Sequence, residues 1–345
     1  MNITAAKVFP YSLPLLGHLH TGAVTISERL GFILRLRTED GSEGYGEASP
    51  AYWLGSESLE RTRGGLADLE KALERGRPLP HHMEPSVRAA VETALFDIEA
   101  RSMGVPLAEL LSDAPAASLP LAALIGVGDG GDVGKHARAA VEQGYPCVKL
   151  KVATLSLEDD RRRLAAVRNA AGWEVELRLD ANGAWNYEQA RSALELFSKY
   201  EVSFVEEPLA GSRPEELALL RREQPVAVAV DESLVTVGDL DRVIVARAAD
   251  VVVIKSARVG GSTAAVELGR RASRQGLKVV VTDSIESPVG MAAALHVAAA
   301  LGPRPAAVGL GGSQTLAADG WEGLPFLGRG RATLPGPGLG VRPHV

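Results

Sequence analysis

The chain has 345 residues, 46% hydrophobic and 23% charged, a mixture that can bury a large core and excludes a largely disordered polypeptide. Its 37 basic and 43 acidic residues leave a formal net charge of −6, which provides no electrostatic footprint for nucleic acid. The single cysteine, Cys147, excludes an internal disulfide framework and a cysteine-built zinc site.

The N-terminal stretch MNITAAKVFPYSLPLLGHLH lacks a charged region followed by an uninterrupted apolar run and reads as a poor signal peptide. No apolar run approaches the ~18 residues that span a bilayer. With one free cysteine, this points to a cytoplasmic protein with neither membrane nor nucleic-acid partners. To about residue 65 the chain reads as strands. FILRLRTEDGSEGYGEAS alternates apolar and polar residues around the turn signal Glu39-Asp40-Gly41. Residues 57–112 read as helices: VRAAVETALFDIEARSMG has helical apolar spacing and stops at Gly104, and Pro106 opens a short helix. Strands followed by helices predict an α+β unit.

From about residue 117 the pattern changes. The expected strands are LPLAALIG, YPCVKLKV, EVELRLD, VSFVEE, VAVAVDE, DVVVIK, KVVVTD and AAVGLG. Between them lie helices such as DVGKHARAAVEQG and TAAVELGRRASRQG, each ending at Gly. Eight strands alternating with helices predict parallel βαβ units, in a closed barrel or an open doubly wound sheet. MAAALHVAAAL (291–301), broken by His296, reads as a buried helix, and residues 325–345, rich in Gly and Pro, as irregular structure closing the chain.

Five expected strands end in charge: Lys151, Asp180, Glu206, Asp231 and Lys255, at steps of 29, 26, 25 and 24 residues. That is one βα unit per step. Charge at the end of an apolar strand is costly, and five in successive units point to one polar site at the C-terminal face of a barrel. Asp180, Glu206 and Asp231 would then be neighbours, and three converging carboxylates repel unless a cation lies between them. Oxygen ligands favour Mg²⁺ or Mn²⁺ over zinc. Alternation puts Lys149 and Lys151 on one face above Cys147, with Val148 and Leu150 facing the helices. Two buried like charges are expected to depress each other's pKa, which suits a general base near neutral pH. Lys255 would lie across the site. Lysines flanking a metal suit proton removal beside a carboxylate, with stabilisation of the enediolate. A metal-free Schiff-base barrel and a catalytically silent binding barrel are the competing classes.

The motifs KLK (149–151), LRLDANGAW (177–185), VEEP (205–208), VDES (230–233) and IKSARVGG (254–261) resemble the muconate-lactonizing branch of the enolase superfamily. GYGEASP (44–50) and ALFDIEARSMGVPLAELL (94–111) are similar to its capping domain, so the resemblance covers nearly the whole chain. It implies an α/β fold: a (β/α)7β modified TIM barrel over residues 116–324, with an α+β capping domain over 1–115 completed by the tail, 325–345. It implies Asp180, Glu206 and Asp231 as ligands of Mg²⁺, with Mn²⁺ as an alternative. Lys151 is then the proton-abstracting base, Lys149 tunes or orients it, and Lys255 stands on the opposite face. Asn182 and Glu207 are supporting residues. The implied partner is a small-molecule carboxylate, and a homo-oligomer is left open.

Within the branch, VVVTDSIESPVGMAAALHVAAAL (279–301) is similar to o-succinylbenzoate synthases, in which backbone amides here hold a substrate carboxylate. GLGGS (309–313) and PGPGLGV (335–341) fit the same group. Ser284, Ile285, Glu286, Leu310, Gly311 and Asn182 are the substrate-binding candidates. The implied reaction is metal-assisted syn-dehydration of 2-succinyl-6-hydroxy-2,4-cyclohexadiene-1-carboxylate, a menaquinone precursor. Lys151 would remove the α-proton and then help hydroxide leave, while Lys255 stabilises the anion. Dipeptide epimerases usually carry an Asp-x-Asp pair after strand eight, which GLGGSQTLAADG lacks. N-succinylamino acid racemases and muconate cycloisomerases share the lysines and stay open. Asp283 departs from the synthase pattern and would disfavour an anionic group.

Four other features carry bland readings. Gly126-Val127-Gly128-Asp129-Gly130-Gly131 fits G-x-G-x-x-G, but the next strand ends in lysines rather than the acid a dinucleotide site needs. His81-His82 sits in a proline-flanked loop, Arg161-Arg162-Arg163 reads as a solvated helix face, and His18 and His20 read as loop residues near the site. Loops near 14–26 and 47–57 are the expected source of specificity.

Overall fold

The computed structural model describes residues 2–21, 24–54, 57–80, 82–126, 132–209, 211, 213–303, 305–311, 321–323 and 327–344; of 16–21, 24 and 327 it describes the backbone alone. Strands β1 (Ile3–Thr21), β2 (Val24–Thr38) and β3 (Glu43–Ala48) form an antiparallel sheet in that order. His18 and His20 therefore lie in a strand, not the expected loop. The β1–β2 ladder runs on through Leu19–Ile26 and His20–Thr25, so pairing satisfies that backbone. Their side chains lie outside the described residues, as do His81 and residues 127–131 of the glycine-rich loop.

Helix α1 (Leu59–Glu74) opens on Ser58, whose side chain accepts the Arg61 N–H. Helix α2 (Pro85–Met103) has proline in its first turn and stops at Gly104, where φ is 72°. The short α3 (Ala108–Leu111) follows. The motif GYGEA explains how α2 sits on the sheet. A Cβ at Gly44 or Gly46 would strike the carbonyl oxygens of Ala94 and Ala90, so only hydrogen fits. Alternation turns Tyr45 and Glu47 the other way.

After β4 (Ser118–Pro120), strand and helix alternate: β5 (Ala122–Ile125), α4 (Val133–Glu142), β6 (Cys147–Lys151), α5 (Leu157–Ala171), β7 (Glu176–Asp180), α6 (Tyr187–Phe197), β8 (Val202–Glu206), α7 (Pro214–Glu223) and β9 (Val228–Val230). Then come α8 (Val237–Ala246), β10 (Val251–Ile254), the short α9 (Ser256–Val259), α10 (Ser262–Arg274), β11 (Lys278–Val281) and α11 (Pro288–Ala300). Strands β5 to β11 pair in parallel in chain order. The expected eighth strand is reduced to two isolated bridges, Leu121–Val308 and Thr282–Gly309. That short segment still reaches both edges: Ala122 N–H donates to Val308 O at 2.9 Å and Gly309 N–H to Val281 O at 3.0 Å. The largest apolar core lies between this sheet and its helices. Every residue of α11 is buried, as its uninterrupted Ala-rich sequence requires.

The tail is not wholly irregular. It contains β12 (Trp321–Glu322), β13 (Leu327–Gly328), β14 (Arg331–Thr333) and β15 (Arg342–Pro343); β14 pairs with β4, and β12 with β15. Leu339 N–H donates to Asp97 Oδ1 at 2.7 Å, and Leu107 N–H to Gly338 O at 2.9 Å. A seam cluster unites Ile33 and Tyr45, Leu107, Val289 and Ala292, and Leu339 and Val341. None of the described helices is long and apolar enough to cross a membrane.

His296 ties this seam together. Its Nδ1 accepts the Ala108 N–H and its Nε2 faces Leu339 O, both at 3.2 Å, so the neutral ring carries its proton on Nε2. Burial lowers its pKa to about 4. A neutral buried histidine stabilises the fold above the unfolded pKa of ~6.5 and loses that contribution as pH falls toward 4. His296→Gln is expected to flatten this part of the pH dependence. In urea melts, the stability gap between wild type and variant should shrink by about 2 kcal/mol from pH 7.5 to pH 5. An unchanged gap would rule out a neutral buried ring.

Candidate active site

Parallel register brings the charged strand ends together. Lys151 pairs with Asp180, and Asp180 with Glu206. Glu206 pairs with Ala229, two residues before Asp231, and Lys255 follows the end of β10. Lys149 and Lys151 share a face, and Cys147 lies beneath them, buried with Ala122 and Ala307. Burial pushes the Cys147 thiol up to about 12, so it is no nucleophile.

The charges form one network. Lys149 Nζ donates to both oxygens of Glu206 at 2.8 Å and stands 2.8 Å from Asp180 Oδ2. Lys151 Nζ donates to Asp180 Oδ2 at 2.7 Å and to Asn182 Oδ1 at 2.5 Å. Lys255 donates to Asp231 Oδ2, and Arg258 Nη1 lies 3.5 Å from Asp231 Oδ1. Asp180, Glu206 and Asp231 are each 1% exposed. Burial disfavours the Asp180 charge, but Lys149 and Lys151 overcome it and hold its carboxyl well below the usual range. Burial also opposes ionisation of Asp231, and Lys255 and Arg258 outweigh it. Glu206 goes the other way, pushed up to about 8 by burial and by Asp180.

One expectation reverses. Lys149 is raised, not depressed: burial pulls it down, but Asp180, Glu206 and Asp231 more than offset that. Reading β6 alone showed the two lysines and not the acids that adjacent strands place against them.

The turns after the strands hold the network. Asn182 (φ 44°) and Glu207 (φ 40°) adopt left-handed conformations that non-glycine residues seldom take. Asn182 divides its amide between Lys151 and Glu232, donating to Glu232 Oε1 at 2.9 Å. Glu207 accepts the Asp231 N–H at 2.8 Å and the Ser233 hydroxyl. Sequence reasoning missed two members. Glu232 lines the cavity and is pushed up to about 7 by burial and by Asp231. Arg258 also lines it and donates to Glu232 O at 3.0 Å. The doubled acid of VDES and the arginine of IKSARVGG were the available signals.

Ser284 and Ile285 line the same cavity with Gly309, Gly311 and, from the N-terminal unit, Ala51, Trp53 and Leu54. Among the described residues, the buried Thr282 Oγ1 and Ser284 Oγ on its wall have no hydrogen-bond partner. Glu286 and Leu310 are not part of this lining. Glu286 faces a small separate cavity with Glu47 and Ser262, and Leu310 is fully buried. Leu310 lies between the lining residues Gly309 and Gly311 and points the other way, while the turn after β11 carries Glu286 toward Glu47.

Among the described residues, no three His, Cys, Asp or Glu side chains stand in metal-binding proximity, since Lys149 separates Asp180 from Glu206 and Lys255 draws Asp231. The donor chemistry nonetheless fits a hard divalent cation: three buried carboxylates on adjacent strands, one of them held near 8 for want of compensating charge. When ionised, Asp180, Glu206, Asp231 and Glu232 balance Lys149, Lys151, Lys255 and Arg258. A divalent cation would add two positive charges, offset by one substrate carboxylate and one lysine giving up its proton. Calorimetric titration with Mg²⁺ is expected to show one site, with affinity reduced more than about tenfold in Glu206→Gln. Undiminished binding by that variant would remove Glu206 from the site.

The family model described as Enolase C-terminal domain-like matches residues 132–344. N-succinyl-L-Arg/Lys racemase of Bacillus cereus is 28% identical over 311 residues, covering 86% of this chain and 84% of that protein. o-Succinylbenzoate synthase of Thermobifida fusca is 41% identical over 185 residues, covering 53% of this chain and 57% of that protein. Among solved structures, the dipeptide epimerase from Methylococcus capsulatus complexed with Mg and the dipeptide L-Arg-D-Lys superposes with a TM-score of 0.85 at 27% identity, covering 99% of each chain.

Proposed function

The chain belongs to the enolase superfamily, and on that premise we propose that it is an o-succinylbenzoate synthase-like lyase. Its reaction is the syn-dehydration of 2-succinyl-6-hydroxy-2,4-cyclohexadiene-1-carboxylate in menaquinone biosynthesis, carried out in the cytoplasm. The observation that carries the reaction class is one row of buried acids with a lysine at each end: Lys151 on Asp180, Lys255 on Asp231, and Glu206 between them. The choice of substrate is supported by the 41% identity to a synthase over half the chain.

The proposal includes the architecture. Residues 116–324 form a (β/α)7β barrel closed by the 308–309 segment, and residues 1–115 form a capping domain to which 325–345 return. Asp180, Glu206 and Asp231 are the residues that would hold Mg²⁺, as the magnesium complex of the epimerase neighbour supports. When bound, the cation would supply positive charge at the substrate carboxylate and so raise the acidity of the adjacent C–H.

Lys151 takes that proton. Asp180 and Asn182 hold its nitrogen at 2.7 and 2.5 Å, which fixes the direction of attack. Once protonated, Lys151 returns a proton to the departing hydroxide on the same face, as syn geometry requires. Lys255, anchored by Asp231, presents positive charge on the other side of the substrate. The unsatisfied hydroxyls of Ser284 and Thr282 supply polar contacts at the far wall. Trp53 and Leu54 shield the cavity from water.

A second reading is racemisation of N-succinyl amino acids. It is favoured by the 28% identity to a racemase across 86% of the chain and needs both Lys151 and Lys255 as acid–base partners. Lys151→Ala is expected to lower o-succinylbenzoate formation by at least about 10³-fold while Mg²⁺ binding and the folded circular dichroism spectrum persist. Normal turnover by that variant would sink the assignment. Deuterium entering N-succinyl amino acids from either enantiomer, with no o-succinylbenzoate formed, would establish the racemase in its place.

A further inference from the structure

We propose that Arg29 is a positioning residue that sets the shape of the substrate pocket by fixing two of its walls to one guanidinium. This rests on the reading of the Lys151–Lys255 cavity as the catalytic site. Arg29 lies in β2 and is fully buried. Its Nε–H donates to Ile285 O at 2.6 Å, 256 residues away. Nη2 donates to Ser49 O at 2.6 Å, and Nη1 to Pro50 O at 3.0 Å and to Leu30 O at 2.8 Å. The guanidinium carbon also lies 5.0 Å from the Trp53 ring centroid and 6.0 Å from that of Tyr52. A single planar group thus touches the turn after β11, the segment after β3 and the aromatic pair that follows it.

The groups it fixes belong to the cavity. Ile285 and Trp53 both line it, and they pack together with Ile26, Leu13 and Leu15. Ile285 also has φ 60°, a conformation that a β-branched residue rarely adopts without support from its surroundings. The Arg29 bond to its carbonyl is such support. Neither wall carries the proton-transfer groups, so loosening them should change how substrate is held and leave the Lys151 step largely intact. Lysine cannot replace the arrangement. It keeps the charge but offers one point donor where four carbonyl oxygens are arranged around a fork.

The test compares wild type with Arg29→Lys and Arg29→Gln. With 2-succinyl-6-hydroxy-2,4-cyclohexadiene-1-carboxylate and Mg²⁺, both variants are expected to raise KM at least tenfold while kcat stays within threefold. In hydrogen–deuterium exchange, without substrate, the amides of Leu54 and Ile285 are expected to exchange at least tenfold faster in the variants, with the amides of β6 to β9 unchanged. Unchanged KM with unchanged exchange would overturn the proposal, and so would uniformly faster exchange across β6 to β9, which marks a general stability role. If wild type does not turn over the substrate, the assignment of function fails, and the exchange comparison alone decides the role of Arg29. Should Arg29→Gln not fold, Arg29→Lys retains the charge and carries both measurements.

Discussion

Charge taken out of water must be met by opposite charge, and that constraint organises the interior of this protein. Moving a single carboxylate into a low-dielectric interior costs several kcal/mol even after relaxation. Here three are buried side by side. Asp180 is tolerable because two ammonium groups contact one of its oxygens, and Asp231 because Lys255 and Arg258 face it. Glu206 is the least compensated of the three, and its proton affinity records that. Strand register and the left-handed turns at Asn182 and Glu207 hold this cluster together. Such groups act as a unit, and the effect of altering one includes the penalty borne by its abandoned partners.

The positions of these residues were legible because a βα unit has a nearly fixed length. Charges recurring every 24 to 29 residues fall at equivalent strand ends, and parallel pairing does the rest. What depended on neighbours in space was less legible. The two lysines of β6 read as mutual repulsion, yet the acids across from them reverse the sign for Lys149. The final strand read as a full element from its apolar letters, but only Val308 and Gly309 make bridges. Gly44 and Gly46 sat in an alternating strand pattern, and the structure shows them as the places where α2 touches the sheet. Arg29 sat in an ordinary alternating strand pattern. Nothing within ten residues of it announces a partner at position 285.

The relatives bear names for different reactions: a racemase, a synthase and an epimerase. One lysine–acid set is compatible with all of them, because each reaction class can begin with loss of a proton beside a carboxylate. Differences in outcome must then lie in how the substrate is oriented over that set. In this protein the cavity over that set is lined from two distant parts of the sequence: Ala51, Trp53 and Leu54 from one unit, Ser284 and Ile285 from the other. The seam cluster that joins Tyr45 and Ile33 to Val289, Ala292 and Leu339 ties together the elements next to those two lining segments.

The way residues 338 and 339 grip Asp97 and Leu107 has a consequence for biosynthesis. Asp97 leaves the ribosome more than 200 residues before its partner Leu339 is made, a delay on the order of tens of seconds at ordinary elongation rates. During that interval the apolar residues Ala100, Leu107 and Tyr45 lack the tail that covers them in the finished molecule. The N-terminal sheet and α2 have a core of their own, which can form while translation continues. Their seam meanwhile waits for Leu339 and Val341. A transcript cut short before codon 339 would leave the contacts of Leu339 with Asp97 and the seam unmade, even with every residue of the lysine–acid cluster already synthesised.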